Sequence, residues 1–557
     1  MHLSDFSIMK KLFIFLTWLY VASCTHKNNE GSLNESTQIR VSESVVNERF
    51  GGVGFHVFYH THNAPRWHYE EVFAKRWREL DPSFVRINDN QSWDTDRLDK
   101  ISEYLEVMKD TDTEMYFTSW GVNTLNDYTN EADYVNKEVD NLLYMKGEKG
   151  FDKLNYFCMT NELSVEKWAS LVTDLDRFKR VQTIFFDEFQ NRDLDIKLLA
   201  TDASPFSNWP TIEWAANNMD DITGVYGGHH YINSYDLFDL SFYNFFYEKM
   251  KWGADLAKSK NKKFIVGEFG SKQNSNVLDS VKHDANIYNN RPLETYYGIQ
   301  VAEAVIAMIN AGVYGCNYWT FSDFPTSYNS KYINKWGIFR WEIDNTTTKP
   351  SYYCIGLLTK FFRGPSTVFE AKPADPLLRT AAIQNQEDGS ISIAVVNRHE
   401  TSQAIQLHLD IGSAGLEFRK YEYNPEDVPF NYFGDLQQHS GKIKLKNQEI
   451  SDVVLPNSLT VYTTRFDETP PEAVKGLKVA QIKLEDRDRV SLSWQANPED
   501  DVIYYRIYRS EIPDVEISER KQIATTINAE YIDRTVHGLP TYYYKVVAVD
   551  KSGNSSD

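Results

Sequence analysis

The chain has 557 residues, with 59 Lys and Arg against 79 Asp and Glu, for a formal net charge of −20. That balance argues against nucleic acid and against an anionic membrane surface as partners, because binding phosphates needs a basic patch; it suits a soluble, exported protein. The length exceeds what one core supports and predicts roughly three or four units of about 100 to 300 residues.

At the N-terminus, Lys10 and Lys11 precede the apolar run LFIFLTWLYVAS, which stops at Cys24. The run is too short to span a bilayer and has the shape of a secretory signal. Met9 is an alternative start, since MKKLFIF opens a conventional signal. Val21-Ala22-Ser23-Cys24 resembles a bacterial lipobox, which implies lipidation of Cys24 and an outer-membrane anchor, with periplasmic or surface exposure open. The alternative is plain secretion with cleavage near Ser23. Residues 25 to 49, polar and rich in Asn, Ser and Glu, read as a flexible tether, with folding starting near Phe50.

From 50 to 365, short apolar runs alternate with helical patterns, the signature of βα units around a parallel sheet. Eight strands are predicted, at 51 to 58, 83 to 88, 114 to 120, 155 to 161, 196 to 202, 222 to 231, 263 to 269 and 313 to 321. The segment from Thr95 carries Leu98, Ile101, Tyr104, Leu105 and Met108 at helical spacing, and the segment from Thr295 to Gly312 is similar. The fold class expected is α/β, a (β/α)8 TIM barrel followed by two all-β units. Aromatic residues make up 14% of the chain, and most are read as core, although rings also stack on sugar faces. Cys158, Cys316 and Cys354 lie in or beside apolar runs and read as buried thiols without a disulfide framework.

Strand four delivers Asn161 and Glu162 at its C-terminal end, and strand seven delivers Glu268, 106 positions later. A barrel keeps its chemistry at that end. An Asn-Glu pair on strand four with a Glu ending strand seven resembles clan A of the retaining glycoside hydrolases; Leu163 stands where the clan more often has Pro. Within the clan, the passages from Cys316 to Ser330 and from Lys335 to Phe362 resemble family 39, the xylosidase and iduronidase group. The resemblance covers roughly residues 50 to 365.

It implies Glu268 as nucleophile and Glu162 as acid/base, the two carboxyls about 5 Å apart. Arg86 resembles the clan's strand-two Arg, a cation to hold Glu268 ionised; its alternative is a surface Arg. Asn161 would donate to the sugar 2-hydroxyl, or else cap a turn. His229 and Tyr231 share a face by strand alternation and are preferred to His230 as contacts of the nucleophile. Trp319 matches the clan's strand-eight aromatic that floors the sugar subsite, and barrel core is the competing role. His56 is expected beside the sugar, with His60 and His62 in a loop; a metal site among the three is the weaker reading, and no cofactor is called for. The loops from Gly270 to Pro292 and from Asp323 to Trp341 would wall the cleft, the second with Phe324, Tyr328, Tyr332 and Trp336 as stacking or packing residues.

Residues 366 to 466 change to short alternating strands and read as a β-sandwich, structural or carbohydrate-binding. After Pro470-Pro471, residues 470 to 557 resemble a fibronectin type III domain with Trp494 on its second strand and a corner from Leu539 to Tyr543; its last strand would start where the chain stops. The resemblance implies a glycosidase acting on a poly- or oligosaccharide. A non-catalytic surface glycan-binding barrel and a transglycosylase are the alternatives, and nothing in the sequence sets the sugar, the linkage or the oligomeric state.

Overall fold

The computed structural model describes residues 36–57, 65–89, 94–119, 130–163, 174–233, 235–271, 291–325, 333–341, 345–412, 415–536 and 541–557. Eight strands, β1 (Thr37–Val57), β2 (Phe84–Asp89), β3 (Glu114–Ser119), β4 (Leu154–Cys158), β5 (Lys197–Ala203), β6 (Val225–Gly228), β7 (Lys263–Phe269) and β8 (Gly315–Tyr318), pair in parallel in chain order. Pairing of β8 with β1, Gly52 opposite Gly315 and Phe55 opposite Tyr318, closes the ring. Each strand is followed by one main helix: α1 (Ala74–Leu80), α2 (Thr95–Leu105), α3 (Glu131–Leu143), α4 (Leu175–Asn191), α5 (Pro210–Asn218), α6 (Phe242–Ser259), α7 (Tyr297–Ala311) and α8 (Pro350–Phe361). This is the (β/α)8 arrangement read from the sequence.

Local signals set the helix ends. Asp94 accepts from the Arg97 backbone N–H at the start of α2, satisfying one of the orphan donors of a helix N-terminus. Gly312 ends α7 at φ 88°, a left-handed turn that glycine takes without a Cβ penalty. α2 is amphipathic and buries Leu98, Ile101, Tyr104 and Leu105, whereas α7, read from the sequence as similar, and α8 are buried almost all round. Among the described residues no helix is long and apolar enough to cross a membrane.

The tether expected over residues 25 to 49 ends earlier than its composition suggests. Residues from Thr37 already form β1, whose first half pairs antiparallel with strand Arg363–Pro373 and parallel with strand Gln403–Leu409. Ile39 and Val41 are fully buried in the sandwich core, while Arg40 between them is exposed. This period-2 pattern was masked by the polar residues around it. One 21-residue strand therefore runs from the second layer into the barrel.

The remaining sandwich strands are Leu378–Asn385, Ile391–Asn397, Glu417–Tyr423, Gly441–Lys444, Glu449–Val454 and Ser458–Thr463. Two of the strands have weak sequence signals. Arg363–Pro373 crosses the expected boundary at 365, its Gly and Pro having hidden it, and Glu449–Val454 is short and half exposed. The C-terminal unit packs the sheet Lys475–Leu484, Arg487–Gln495, Glu530–Asp533 on the sheet Gln522–Thr526, Val502–Ser510, Tyr543–Asp550. Trp494, on the second of these strands, meets Tyr505 edge-on at 5.2 Å in their common core. Part of the expected corner, Leu539 and Pro540, lies outside the described residues. Cys158, Cys316 and Cys354 are buried free thiols; Cys24 lies outside the described residues.

Candidate active site

An apolar and aromatic layer crosses the barrel and separates a small polar cluster at its N-terminal end from a larger one at its C-terminal end. Phe84, Tyr116, Tyr156, Cys158, Leu199, Val225 and Ile265 fill the interior. Below them Lys263 donates to the Tyr156 hydroxyl at 2.8 Å and Tyr314 to Glu114 Oε2 at 2.6 Å. Along β2 the side chains of Phe84, Arg86 and Asn88 share a face, so the residue one layer above the Phe84 plug is Arg86.

Arg86 is fully buried, which removes its reading as a surface Arg. Its Nη1 donates to Glu268 Oε1 at 2.7 Å and lies 3.0 Å from His56 Nδ1; its Nη2 donates to Asn161 Oδ1 at 2.6 Å and to Asp202 Oδ2 at 2.7 Å. Burial opposes the charge, but Asp202 and Glu268 outweigh it and hold the guanidinium more firmly protonated than usual. An arginine only donates, so His56 accepts through Nδ1, and the Asn161 amide turns its carbonyl to Arg86 and its NH2 away.

Glu162 stands just past the end of β4 with φ 56°, a left-handed backbone uncommon for a residue with a side chain. Leu163 beside it is fully buried and pins the turn, while the Glu162 side chain keeps 14% exposure. Glu268 lies within β7 and is 1% exposed. Both of its oxygens are engaged, Oε1 by Arg86 and Oε2 by the Tyr231 hydroxyl. Burial, then the charges of Glu268 and Glu162, push the Tyr231 phenol far above its usual range, so it stays a donor.

His229 links the two carboxylates. Its Nδ1 lies 3.2 Å from Glu162 Oε1 and 3.6 Å from Glu268 Oε2, and its Nε2 lies 2.9 Å from Asp202 Oδ1. Burial alone would strip its proton, yet the charges of Asp202 and Glu268 prevail and raise its pKa to about 9. For Asp202, burial is likewise overcome by His229 and Arg86, and its pKa falls to about 2. Position 267 has to be glycine for this contact: a Cβ there would lie 2.7 Å from His229 Nε2 and 2.9 Å from Asp202 Oδ1.

Single atoms of Glu162, His229 and Glu268 lie within 4.8 Å of one another, a spacing open to a metal ion. The imidazole does not suit that use: with Nε2 against a carboxylate and Nδ1 between two more it serves as a cationic donor, whereas a metal ligand must be neutral.

Trp319 is 4% exposed and sits outside the main core, in a cluster with Phe324, Tyr231 and Trp336. The His56 ring packs on it at 4.3 Å. Phe321, two residues on, is buried against Phe55, Phe73 and Trp77. His230 faces away, toward Tyr235 and Phe246. The structure thus brings together Arg86, Asn161, Glu162, His229, Tyr231 and Glu268, with His56 on Arg86 and Trp319 behind His56. His60, His62, Tyr328, Tyr332 and most of the loop from Gly270 to Pro292 lie outside the described residues.

Asp202 was missed by the sequence reading. It ends the fifth predicted strand, IKLLATD, and a carboxylate at a strand's C-terminal end was the signal already used for strands four and seven.

No family model matches the sequence, and no curated protein does. Solved structures do match the fold. A bacterial orthologue of human α-L-iduronidase is 15% identical over 94% of this chain and 98% of its own, with a TM-score of 0.58. A family 51 α-L-arabinofuranosidase from Thermotoga petrophila is 14% identical over 77% of this chain and 100% of its own, at 0.57. A family 30 xylanase from Clostridium acetobutylicum is 12% identical over 76% of this chain and 99% of its own, at 0.51. At these identities the likeness establishes a common architecture, a (β/α)8 barrel with β-strands beyond it.

Proposed function

We propose that this protein is a retaining glycoside hydrolase of clan A, with Glu268 as nucleophile and Glu162 as acid/base. The observation that carries the reading is the approach of a Glu162 and a Glu268 carboxylate oxygen to within 4.8 Å at the C-terminal ends of β4 and β7. Retaining enzymes hold their carboxyls about 5 to 5.5 Å apart, whereas inverting enzymes leave roughly 6.5 to 9.5 Å for a water.

In the first step a Glu268 oxygen bonds to the anomeric carbon while the glycosidic C–O bond breaks. The electron pair passes to the leaving oxygen, which takes the proton of Glu162. In the second, Glu162 removes a proton from water as the water oxygen bonds to the same carbon, and the ester electrons return to Glu268. Arg86 and Tyr231 hold the two Glu268 oxygens, so the nucleophile is aimed before substrate arrives. The NH2 of Asn161, turned away from Arg86, supports its role as donor to a sugar 2-hydroxyl, and Trp319, backed by the buried His56 ring, would supply the face for the sugar.

For the substrate, the family 39 resemblance and the likeness to an iduronidase orthologue, a xylanase and an arabinofuranosidase favour a xyloside, an iduronide or a related glycoside. The signal and the lipobox-like Val21-Ala22-Ser23-Cys24 support, in this reading, an outer-membrane lipid anchor at Cys24, and the two packed sheets of the C-terminal unit support a fibronectin type III-like domain.

The test is mass spectrometry of the intact protein after exposure to a panel of 2-fluoro glycosides, with peptide mapping of any adduct. A stable adduct on Glu268 is expected, and the sugar that labels narrows the substrate. No adduct with any sugar, alongside firm binding to a glycan array, transfers the case to a non-catalytic glycan-binding barrel.

A further inference from the structure

Asp202 belongs to no role assigned so far, and it sits under both halves of the chemistry. Its side chain is fully buried at the end of β5, with backbone φ 56°. One carboxylate oxygen receives Arg86 at 2.7 Å and the other faces His229 Nε2 at 2.9 Å. The groups facing His229 are Arg86 from β2, Glu162 after β4, Asp202 from β5, Glu268 from β7 and Tyr231 two residues along its own segment.

Resting on the hydrolase reading, we propose that Asp202 is a positioning residue that fixes His229 as a doubly protonated imidazolium between Glu162 and Glu268, one cation serving both carboxylates in turn.

The double displacement moves negative charge from Glu268 to Glu162 and back. When Glu268 forms the glycosyl ester it loses its charge, and Glu162, having given its proton to the leaving oxygen, acquires one. His229 Nδ1 lies 3.6 Å from the first and 3.2 Å from the second, so the same N–H faces the charge before and after the transfer. Arg86 and His229 carry two positive charges; Asp202 and whichever glutamate is ionised carry two negative ones. The site stays neutral through both steps without a proton entering or leaving His229. Such a fixed dipole costs no reorganisation at the moment of reaction. With Nε2 facing a neutral group the imidazole would lose its second proton in this dry site, and the transfer would then be uncompensated.

The measurement is NMR of 15N-histidine-labelled enzyme across pH, with the His229 signals assigned by His229→Gln, alongside the pH profiles of kcat and KM. In the unmodified enzyme one histidine should keep both ring nitrogens protonated up to about pH 9. In Asp202→Asn that imidazolium should be gone at neutral pH. Its kcat should fall by roughly 10- to 100-fold with KM little changed, and the alkaline limb should move to lower pH, which a merely structural role would not do. Should Asp202→Asn fail to fold, the titration of the unmodified enzyme still decides: a neutral His229 at neutral pH overturns the proposal. So does an imidazolium that persists in Asp202→Asn. A protein that labels with 2-fluoro glycosides but has a neutral His229 overturns this proposal alone. One with an Asp202-dependent imidazolium but no turnover or labelling overturns the hydrolase reading, and with it the catalytic half of the proposal.

Discussion

Arg86→Met tests whether the site is held together by charge. The substitution keeps the long apolar stem and deletes the guanidinium, which in the native protein serves Glu268, Asp202, Asn161 and His56 at once. Asp202 and Glu268 are 0% and 1% exposed, so water does not replace the lost donors. Breaking a buried pair by removing one partner costs about 3 to 5 kcal/mol. That is a large share of the roughly 5 to 15 kcal/mol by which a domain is stable. The cost has a pH signature. With His229, Arg86 holds Asp202 at about 2, below its ordinary 3.8. A carboxylate with a depressed folded pKa contributes stability above its unfolded pKa, and that stability is lost as pH falls through the folded value. In Arg86→Met, Asp202 takes up its proton at higher pH than in the native protein, so the variant loses less stability than the native protein on acidification. Urea unfolding at about pH 6 and about pH 3 should therefore show a deficit of several kcal/mol that shrinks at the lower pH. A deficit below about 1 kcal/mol, or one that stays level or grows on acidification, would refute the charge argument.

Glu268→Gln and Glu162→Ala should each lower turnover by orders of magnitude, and Glu162→Ala should lose least on substrates whose leaving group needs no proton; equal loss across leaving groups would remove Glu162 from the acid role. Gln is chosen at 268 because the residue is buried and paired on both oxygens, and Ala would add a cavity to the chemical loss. Gly267→Ala should cost about 1 to 3 kcal/mol, read as a lower melting point, and should lower kcat, because its Cβ would press on both members of the Asp202 and His229 pair; an unchanged kcat would show that the contact is not needed. His229, raised from 6.5 to about 9, contributes stability that is full below the lower value and lost as pH rises through the higher one. The unfolding free energy should therefore fall by about 3 kcal/mol between those limits, and His229→Gln should abolish that slope; a native protein whose stability is flat there contradicts the pairing.

The eight strands and the helices from Thr95 and Thr295 were legible because each is a local pattern, an apolar run or a 3.6-residue period, that the fold obeys. The choice of His229 and Tyr231 over His230 followed from alternation, which holds just past the end of β6. What stayed hidden depends on distance in the chain. Asp202 acquires its place only when the ring closes and Arg86 of β2 reaches it across the barrel from β5, beside His229 after β6, and its strand reads like any other until then. Residues 37 to 49 are strand because residues 363 to 373 and 403 to 409 lie on either side of them; two buried side chains, Ile39 and Val41, were too weak a signal against a polar background. Trp319 resisted assignment because its role turns on neighbours from β1 and the segment after β8.

The same contrast of local and distant applies to the C-terminal unit, which a linker at Pro470-Pro471 would leave swinging free. The contacts argue otherwise. Lys75 in α1 is fully buried and pairs with Glu79 at 2.6 Å and with Asp435 of the sandwich at 2.5 Å. Asp435 in turn receives Arg506 and Tyr504 of the C-terminal unit at 3.0 and 3.1 Å, and the Lys75 ammonium stands 4.6 Å from the centre of the Tyr504 ring. Arg534 of the same unit pairs with Glu71 beside the barrel and lies 5.0 Å from the Trp67 ring. One carboxylate thus ties three layers, and burial that would raise its pKa is overcome by Lys75 and Arg506. Removing its charge in Asp435→Asn leaves Lys75 and Arg506 under-compensated, a loss of about 3 to 5 kcal/mol by the rule for broken buried pairs. Calorimetry of the native protein should then give one cooperative transition that includes the C-terminal unit, and Asp435→Asn should split it, the smaller unit melting first. Two separate transitions in the native protein would mean that the docking contacts are too weak to couple the layers, and the buried network around Lys75 would have to be read as packing alone.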